Sequence, residues 1–460
     1  MATRKKSTRK GTAQAKLKPR DWTLGLEVAH PKAAGIDVGS QEQWVAIPPG
    51  LDEHPVRSFL SFTEDLRAMA EWLKSRGITT VAMQSTGVYW IPLYDMLEQH
   101  GIEVYLVNAR DTKNLPGRKT DIQECQWLLQ LHVYGLLRNS FRPAEEVLRL
   151  RTYWRQRQQH IADAARCVQH MQKALTQMNL QLSNVLSDIA GASGQAIIEA
   201  ILKGERNPQV LAQLRDRQVR ASEGEVAKSL EGNWREDLLF VLQQEWDSYR
   251  MFHQRMEECD RRIQAHYQAL PSQADPKELG ETPRNKRPHG NAPAQLDLRK
   301  ELYRTTGVDL TAMDGINVLT AQTILAEVGG DMRAFPTEAN FASYLGLSPN
   351  QKISGGKVIG RDRRKSAPRA GVALRQAASS LLRSQSYLGA QYRRLRAKLG
   401  APKAIKAMAN RLARIVYRML KFGQAYIDKG HQYYQDKFRS QQLAFLNKRA
   451  AALGLRVVSA

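Results

Sequence analysis

Asp121 and Glu124 stand one helical turn apart in Gly117-Arg118-Lys119-Thr120-Asp121-Ile122-Gln123-Glu124, and Asp37 supplies a third carboxylate upstream. Residues at i and i+3 share a helix face, so both acids can aim at one spot. Two carboxylates held that close repel each other unless a cation lies between them. Thr120 can cap such a helix, and Trp127, Leu128, Leu131 and Leu136 supply an apolar stripe behind the acids. Standing alone, the same pattern is also that of a solvated acidic turn. A second group with chemistry to offer is Ser354 in Ser354-Gly355-Gly356-Lys357, where two glycines leave a backbone phosphate free to approach. Lys357, Arg361, Arg363, Arg364 and Lys365 follow it and can neutralise that phosphate, although Ser-Gly-Gly-Lys by itself is a common turn.

The elements around Asp37 are those needed to bring the acids together. Ala34 to Gly39 is a short apolar run ending in glycine, and Trp44 to Ile47 is a second, which together read as a hairpin. A strand from Val56 to Phe62, a helix from Thr63 to Arg76, a strand from Thr80 to Gln84, a helix from Tyr89 to His100, a strand from Glu103 to Asn108 and the Asp121 helix complete the order βββαβαβα. That order is ribonuclease H-like, an α/β fold in which metal-binding acids come from the first strand, the end of the fourth and the last helix. Asp37, Gln84, Asp121 and Glu124 occupy those places. Three carboxylates and one amide oxygen suit a hard cation, Mg2+ or Mn2+, though with less charge than four acids would bring. Glu42 is a further acid that could move in where Gln84 brings no charge.

The charge distribution says what such a site would act on. The chain carries 69 Lys and Arg against 45 Asp and Glu, a net charge of +24. The first twenty residues hold eight cations and no acid, and Lys357 to Lys421 holds eighteen against Asp362 alone, so the remainder is close to neutral. Positive charge concentrated in this way is the footprint of a polyanion partner. A membrane surface is the poorer match, because there is no signal peptide, no 18-residue apolar run and no strongly apolar face on the basic segments. Three cysteines, Cys125, Cys167 and Cys259, are odd in number and without a CxxC, so neither a disulfide framework nor a zinc site is indicated. These features describe a cytosolic protein of two or three domains.

Between the two basic segments the pattern changes. From Val147 to Ile189 apolar residues recur every seven positions, at Val147, Trp154, Ile161, Val168, Leu175, Leu182 and Ile189, with Leu150, Ala164, Met171, Met178 and Val185 on the second frame and Arg157 interrupting it. This predicts one long helix in a coiled coil, paired either with the stretch from about Glu223 to Leu270 or with a second copy of the chain. An amphipathic helix on a globular core is the other reading. Residues 271–298 carry Pro, Gly, Asn and Lys and read as a mobile linker. Beyond them, Met313-Asp314-Gly315-Ile316-Asn317-Val318 resembles a helix-hairpin-helix turn that would offer Gly315, Asn317 and a helix N-terminus to a phosphate. There Asn317 stands where a second glycine is usual and is expected to take the left-handed conformation. The expected organisation is a basic arm over 1–30, the α/β domain over 31–145, the helical coiled-coil region over 146–270, the linker over 271–298, a mainly α domain bearing Ser354 over 299–425 and a helical tail over 426–460.

Gly35-Ile36-Asp37-Val38-Gly39, Met83-Gln84-Ser85-Thr86-Gly87-Val88-Tyr89-Trp90, Gly117-Arg118-Lys119-Thr120-Asp121, Gly135-Leu136-Leu137 with Ser140-Phe141, and Ser354-Gly355-Gly356-Lys357 resemble, in this order, the motifs of DEDD transposases of the insertion-sequence one-ten family. The resemblance implies a RuvC-like N-terminal domain, a coiled coil and a C-terminal transposase domain with a serine nucleophile. It also implies recombination of donor and target double-stranded DNA, directed by an element-encoded bridge RNA and carried out by a dimer or tetramer. On that pattern Asp37, Gln84, Asp121 and Glu124 hold the metal and Ser354 forms a phosphoserine link to DNA, with acids and serine meeting through domain docking in one chain or between two. Lys119, Gly315, Asn317, Gly355, Gly356, Lys357, Arg361, Arg363, Arg364 and Lys365 would contact nucleic acid. This chain departs from the pattern where Gln84 replaces the second acid and Glu124 the fourth aspartate. The competing class is a RuvC-like, metal-dependent junction-resolving nuclease that uses water as nucleophile. An actin-type ATPase lacks its second glycine-rich phosphate loop here, and a non-catalytic RNA-binding protein leaves the acids unused.

Overall fold

Alternation along the strands decides which side chains build the core and which are left for chemistry. The computed structural model describes residues 27–84, 87–108, 112, 120–281, 291–349, 351–361, 367–456 and 458, the side chains of 351, 352 and 361 excepted. It divides into two compact units, Met1–Arg142 and Pro143–Ala460.

In the first unit β1 (Ala33–Val38) pairs antiparallel with β2 (Glu42–Ala46), and β2 pairs antiparallel with β3 (Val56–Leu60). β4 (Thr80–Gln84) lies parallel to β1, and β5 (Glu103–Val107) parallel to β4, giving the order β3-β2-β1-β4-β5. Parallel neighbours require crossover connections. These are supplied by α1 (Thr63–Ser75) and α2 (Trp90–Gln99), whose Leu66, Met69, Leu73, Leu93 and Leu97 pack on Ile36, Val45, Val81 and Met83. Successive residues of a strand point to opposite faces. Ala33, Gly35 and Asp37 of β1, with Ala82 and Gln84 of β4, therefore face the other side, where α3 (Asp121–Val133) packs Cys125, Leu128 and Leu129 on the sheet. The element order is the one expected, with ends displaced by a residue or two.

The stripe on α3 differs from expectation. Its buried residues are Cys125, Leu128, Leu129 and His132, while Trp127 and Leu131 are half-buried and Leu136, past the helix end, is exposed. The cause is the close approach at Gly35. A Cβ built there would lie 2.3 Å from Cys125 O and 2.3 Å from Leu129 N, both backbone atoms that cannot step aside. We expect Gly35→Val to destabilise the first unit by roughly 1–3 kcal/mol or more, read as a lowered denaturation midpoint.

The second unit is mostly helical. Helices Glu145–Gln177 and Glu236–Ala269 form an antiparallel pair, as shown by Arg157 meeting Asp260 and His170 meeting Glu245. The partner of the heptad-spaced helix thus lies in the same chain. The helix is shorter than the repeat suggested, ending at Met178, where Asn179 turns left-handed with φ 56°. Leu182 belongs to a separate short helix, Leu182–Val185, and it and Ile189 enter the core from there.

One of the two frames is buried along the helix as predicted, and the other only in part. Leu150, Arg157, Ala164, Met171 and Met178 line the buried face; of the other frame Trp154 and Leu175 are buried, whereas Val147, Ile161 and Val168 are half-buried and His160, Cys167 and Ala174 are buried beside them. Arg157 does not interrupt the seam. Its guanidinium is 4% exposed, donates to Asp260 Oδ2 at 3.1 Å and to Asn291 O at 2.8 Å, and so is paired inside the seam. Removing its counter-ion leaves a buried charge uncompensated, so Asp260→Ala should cost about 3–5 kcal/mol in denaturant unfolding.

The described part of the expected linker is tied down. Gln273 N donates to Arg304 O at 2.7 Å, and Arg299 Nη1 donates to Gly280 O at 2.9 Å. Residues 282–290 lie outside the described residues.

Candidate active site and nucleic-acid interface

Ile36 stands opposite Met83 in the parallel β1–β4 pair, which places Asp37 and Gln84 side by side at the C-terminal ends of the two strands. Both lie on the face turned to α3. Because Gly35 lets Cys125 and Leu129 settle on β1, the preceding turn of α3, with Asp121 and Glu124, falls at that same end of the sheet. Thr120 caps the helix as expected, its Oγ1 accepting from Gln123 N at 3.3 Å. Asp121 is exposed and Asp37 and Glu124 are half-buried. The Cys125 thiol lies within reach of both strand and helix acids. Burial pushes its pKa up to about 12, and the Asp37 and Asp121 carboxylates act in the same direction. Glu42 sits on the same face of β2, beyond Trp44, which pairs with Asp37.

Gln84 is buried, and its Nε2 donates to Thr112 Oγ1 at 3.2 Å. That bond occupies the amide nitrogen and makes the carbonyl oxygen the atom it can offer a cation. Thr112 is the contributor the sequence did not reveal; it lies outside the quoted motifs and has no spacing signature. Among the described residues, no three His, Cys, Asp or Glu side chains close to ion-holding distance. The acids share a neighbourhood and do not form a finished cage. This arrangement fits a cation such as Mg2+, which takes one or two carboxylates and completes its shell with water and substrate phosphate. Lys119 lies outside the described residues.

Ser354 lies on a feature that the mainly helical expectation lacked. β6 (Gln351–Ser354) and β7 (Lys357–Arg361) form an antiparallel hairpin joined by Gly355 and Gly356, at φ 54° and 75°. Positive φ at both central residues is the type I′ requirement, and Gly-Gly between two runs of strand-forming residues was its signal. Among the described residues a Cβ at either glycine would meet nothing within 4 Å, and the positive φ at both is what selects glycine here. Ser354 pairs with Lys357, and both are exposed. Ile353, Val358 and Ile359 are exposed as well, so the hairpin stands clear of its unit. Arg361 closes β7, while Arg363, Arg364 and Lys365 lie outside the described residues.

At the hairpin-like turn, the left-handed residue is Gly315, with φ 85°, and not Asn317. A Cβ on Gly315 would lie 2.5 Å from Ala377 O, so glycine also permits a close helix contact. Asn317 is extended and caps the helix Val318–Val328, its Oδ1 accepting from Thr320 N at 2.8 Å. Asp314 accepts from Ser384 Oγ, which also lies 2.6 Å from Ser386 Oγ, so this turn is held from a second element. Of the basic segment, Arg414 and Arg418 pair with Glu338, whereas Arg383, Arg394, Arg396, Lys398, Lys403 and Lys406 are exposed.

The first unit thus has a sheet order consistent with a ribonuclease H-like domain, followed by a mostly helical unit. Residues 34–180 match the family model for DEDD transposases of the IS110 type, described as Transposase. Residues 309–393 match a second model, described as Transposase IS116/IS110/IS902 family, and together the two cover about half of the chain. Over 78 residues the chain is 42% identical to the Insertion element IS110 uncharacterized 43.6 kDa protein of Streptomyces coelicolor, a stretch that spans 17% of this chain and 18% of that relative. The chain belongs to the IS110 family of transposases. Divalent-metal dependence follows from membership in a DEDD family, without specifying the ion. Among the described residues no helix is long and apolar enough to cross a membrane.

Proposed function

We propose that the protein is a DNA transposase that cuts and rejoins DNA through a phosphoserine link at Ser354, assisted by a divalent cation at the acidic cluster. The observation that carries this reading is the convergence of Asp37 and Gln84, on adjacent strand ends, with Asp121 and Glu124 on the first turn of α3. Asp37, Asp121, Glu124 and the Gln84 carbonyl would hold Mg2+ or Mn2+. When bound, the cation supplies neutralising charge at the scissile phosphate and acidifies a coordinated hydroxyl.

The remaining roles belong to the chain itself. The Ser354 hydroxyl attacks phosphorus, the O–P bond to one strand end breaks, and that end leaves as a hydroxyl. The energy of the phosphodiester is retained in the phosphoserine, so a second DNA hydroxyl can reverse the step onto a new partner. Lys357, directly across the hairpin from Ser354, places an ammonium beside the attacked phosphate and favours the deprotonated serine. The exposed position of Ser354, with no atom of the described residues within 4 Å of a Cβ built on Gly355 or Gly356, suits approach of a duplex backbone. The exposed cations between Arg383 and Lys406, the amides at the start of the Val318–Val328 helix, and Gly315 beneath them would hold phosphates. Double-stranded donor and target DNA are the substrates. Guidance by a structured bridge RNA and assembly as a dimer or tetramer rest on the family resemblance, and action at the nucleoid follows from the substrate.

The test is a joining assay. Protein purified with its associated RNA is incubated with DNA carrying the ends of its element and a target duplex. New donor-target junctions should form with Mg2+ or Mn2+ and disappear with EDTA. Cut strands without joined products would contradict the proposal.

A further inference from the structure

The helical tail borders a basic, aromatic cavity whose lining lies mostly beyond the family-matched segments, Tyr387 and Leu388 being the residues inside the second of them. Its volume is about 270 Å³, and its walls come from helix Tyr387–Leu399, helix Ala401–Phe422, the stretch after Gly423 and the tail helix Gly430–Ala452. The tail helix is held there by Tyr434, edge-on to Tyr387 at 5.0 Å, and by Phe438 beneath the Arg394 guanidinium. Tyr387, Tyr426 and Tyr433 present rings to the cavity, with Tyr387 and Tyr433 6.2 Å apart between centroids. Arg411, Lys429 and Lys437 bring three cations to it, and Lys429 also lies over the Tyr433 ring.

No carboxylate among the described residues forms an ion pair with Arg411, Lys429 or Lys437. Arg418 also lines the cavity but is committed to Glu338. The nearby Asp428 is occupied as a cap, its Oδ1 accepting from Tyr387 N at 3.0 Å and Gly430 N at 3.3 Å. Burial, followed by the charges of Asp428 and Asp314, holds the Tyr426 phenol above the usual tyrosine range, so it remains a neutral donor.

Cations with no ion-pair partner among the described residues, beside ring faces in a cavity of about 270 Å³, match a particular ligand. Phosphate meets the cations, and an unstacked base lies against a tyrosine. We propose that this cavity binds one unpaired nucleotide of a nucleic-acid strand, with Arg411 and Lys437 on its phosphate and Tyr433 against its base. This rests on the reading of the protein as a nucleic-acid enzyme and assigns the tail a recognition role. RNA and DNA offer the same base-and-phosphate chemistry, and the experiment separates them.

Binding of dye-labelled single-stranded RNA, single-stranded DNA of the same sequence, and the matching duplex is measured by anisotropy on the full chain at fixed salt. Tyr433→Ala should bind one or both single strands on the order of tenfold more weakly, whereas Tyr433→Phe, which keeps the ring, stays near wild type. Arg411→Gln, at an exposed position, should weaken the same strand and reduce its salt dependence by about one counterion. Duplex affinity should be unchanged in all three. The strand that weakens identifies the source. Single-strand binding equal to wild type in Tyr433→Ala and Arg411→Gln, or a parallel loss of duplex binding, overturns the proposal. Because the readout is binding alone, failure of the joining assay would leave this result standing, and the converse also holds.

Discussion

Asp37→Asn and Asp121→Asn proteins are expected to lose strand cleavage by roughly a hundredfold or more while binding nucleic acid about as well as wild type. Asparagine fills the volume of aspartate but brings no charge, and the cluster has little charge to spare because Gln84 already stands where the family pattern has an acid. Asp121 is exposed on the first turn of α3, and Asp37 points from β1 toward that turn beside a packing contact made by Gly35, not by its own side chain. Gln84→Glu makes the opposite change. A fourth carboxylate should lower the Mg2+ concentration giving half-maximal cleavage, provided Thr112 Oγ1, which now accepts from the Gln84 amide, turns to donate to the new carboxylate. A metal titration of cleavage across the three variants checks both directions. A higher Mg2+ requirement in Gln84→Glu, meaning weaker metal binding, would place residue 84 outside the coordination shell.

The second large effect is at the nucleophile. Ser354→Ala should abolish recombination, because a water-mediated cut releases the bond energy that rejoining requires. The substitution is structurally mild: the side chain is exposed at the end of β6, and the turn is set by Gly355 and Gly356. Loss of joining with unchanged thermal stability would therefore report chemistry. Gly355→Val is a harsher test, since a β-branched residue is strained at φ 54°. It should distort the hairpin and eliminate joining, with DNA binding reduced only modestly.

The first unit was legible because its signals are local. Ile36, Val38, Val45, Val81 and Met83 mark one sheet face by simple alternation, and Thr120 announces the start of α3 by its capping chemistry. What escaped was non-local. The Thr112 contact to Gln84 spans 28 residues and part of a segment with no periodicity. The buried face of α3 was misassigned because Gly35 on β1, not the helix's own stripe, decides which residues meet the sheet. In the second unit the seven-residue repeat correctly foretold a long helix, but the strict frame missed the drift of its buried face to His160, Cys167 and Ala174, and read a paired Arg157 as a flaw. The Ser354 hairpin was overlooked because its apolar residues, Ile353, Val358 and Ile359, are exposed and do not form the half-buried pattern by which strands are recognised.

The central claim is that Ser354 becomes covalently joined to DNA. Labelled substrate is incubated with the protein and Mg2+, resolved by denaturing electrophoresis, and the attached peptide is identified by mass spectrometry. A protein-DNA adduct on Ser354, dependent on Asp37 and Asp121 and absent from Ser354→Ala, is the expected result. An adduct on Ser348, Ser366 or any other residue, or normal cleavage by Ser354→Ala with no adduct, would contradict it, the latter in favour of a nuclease that uses water.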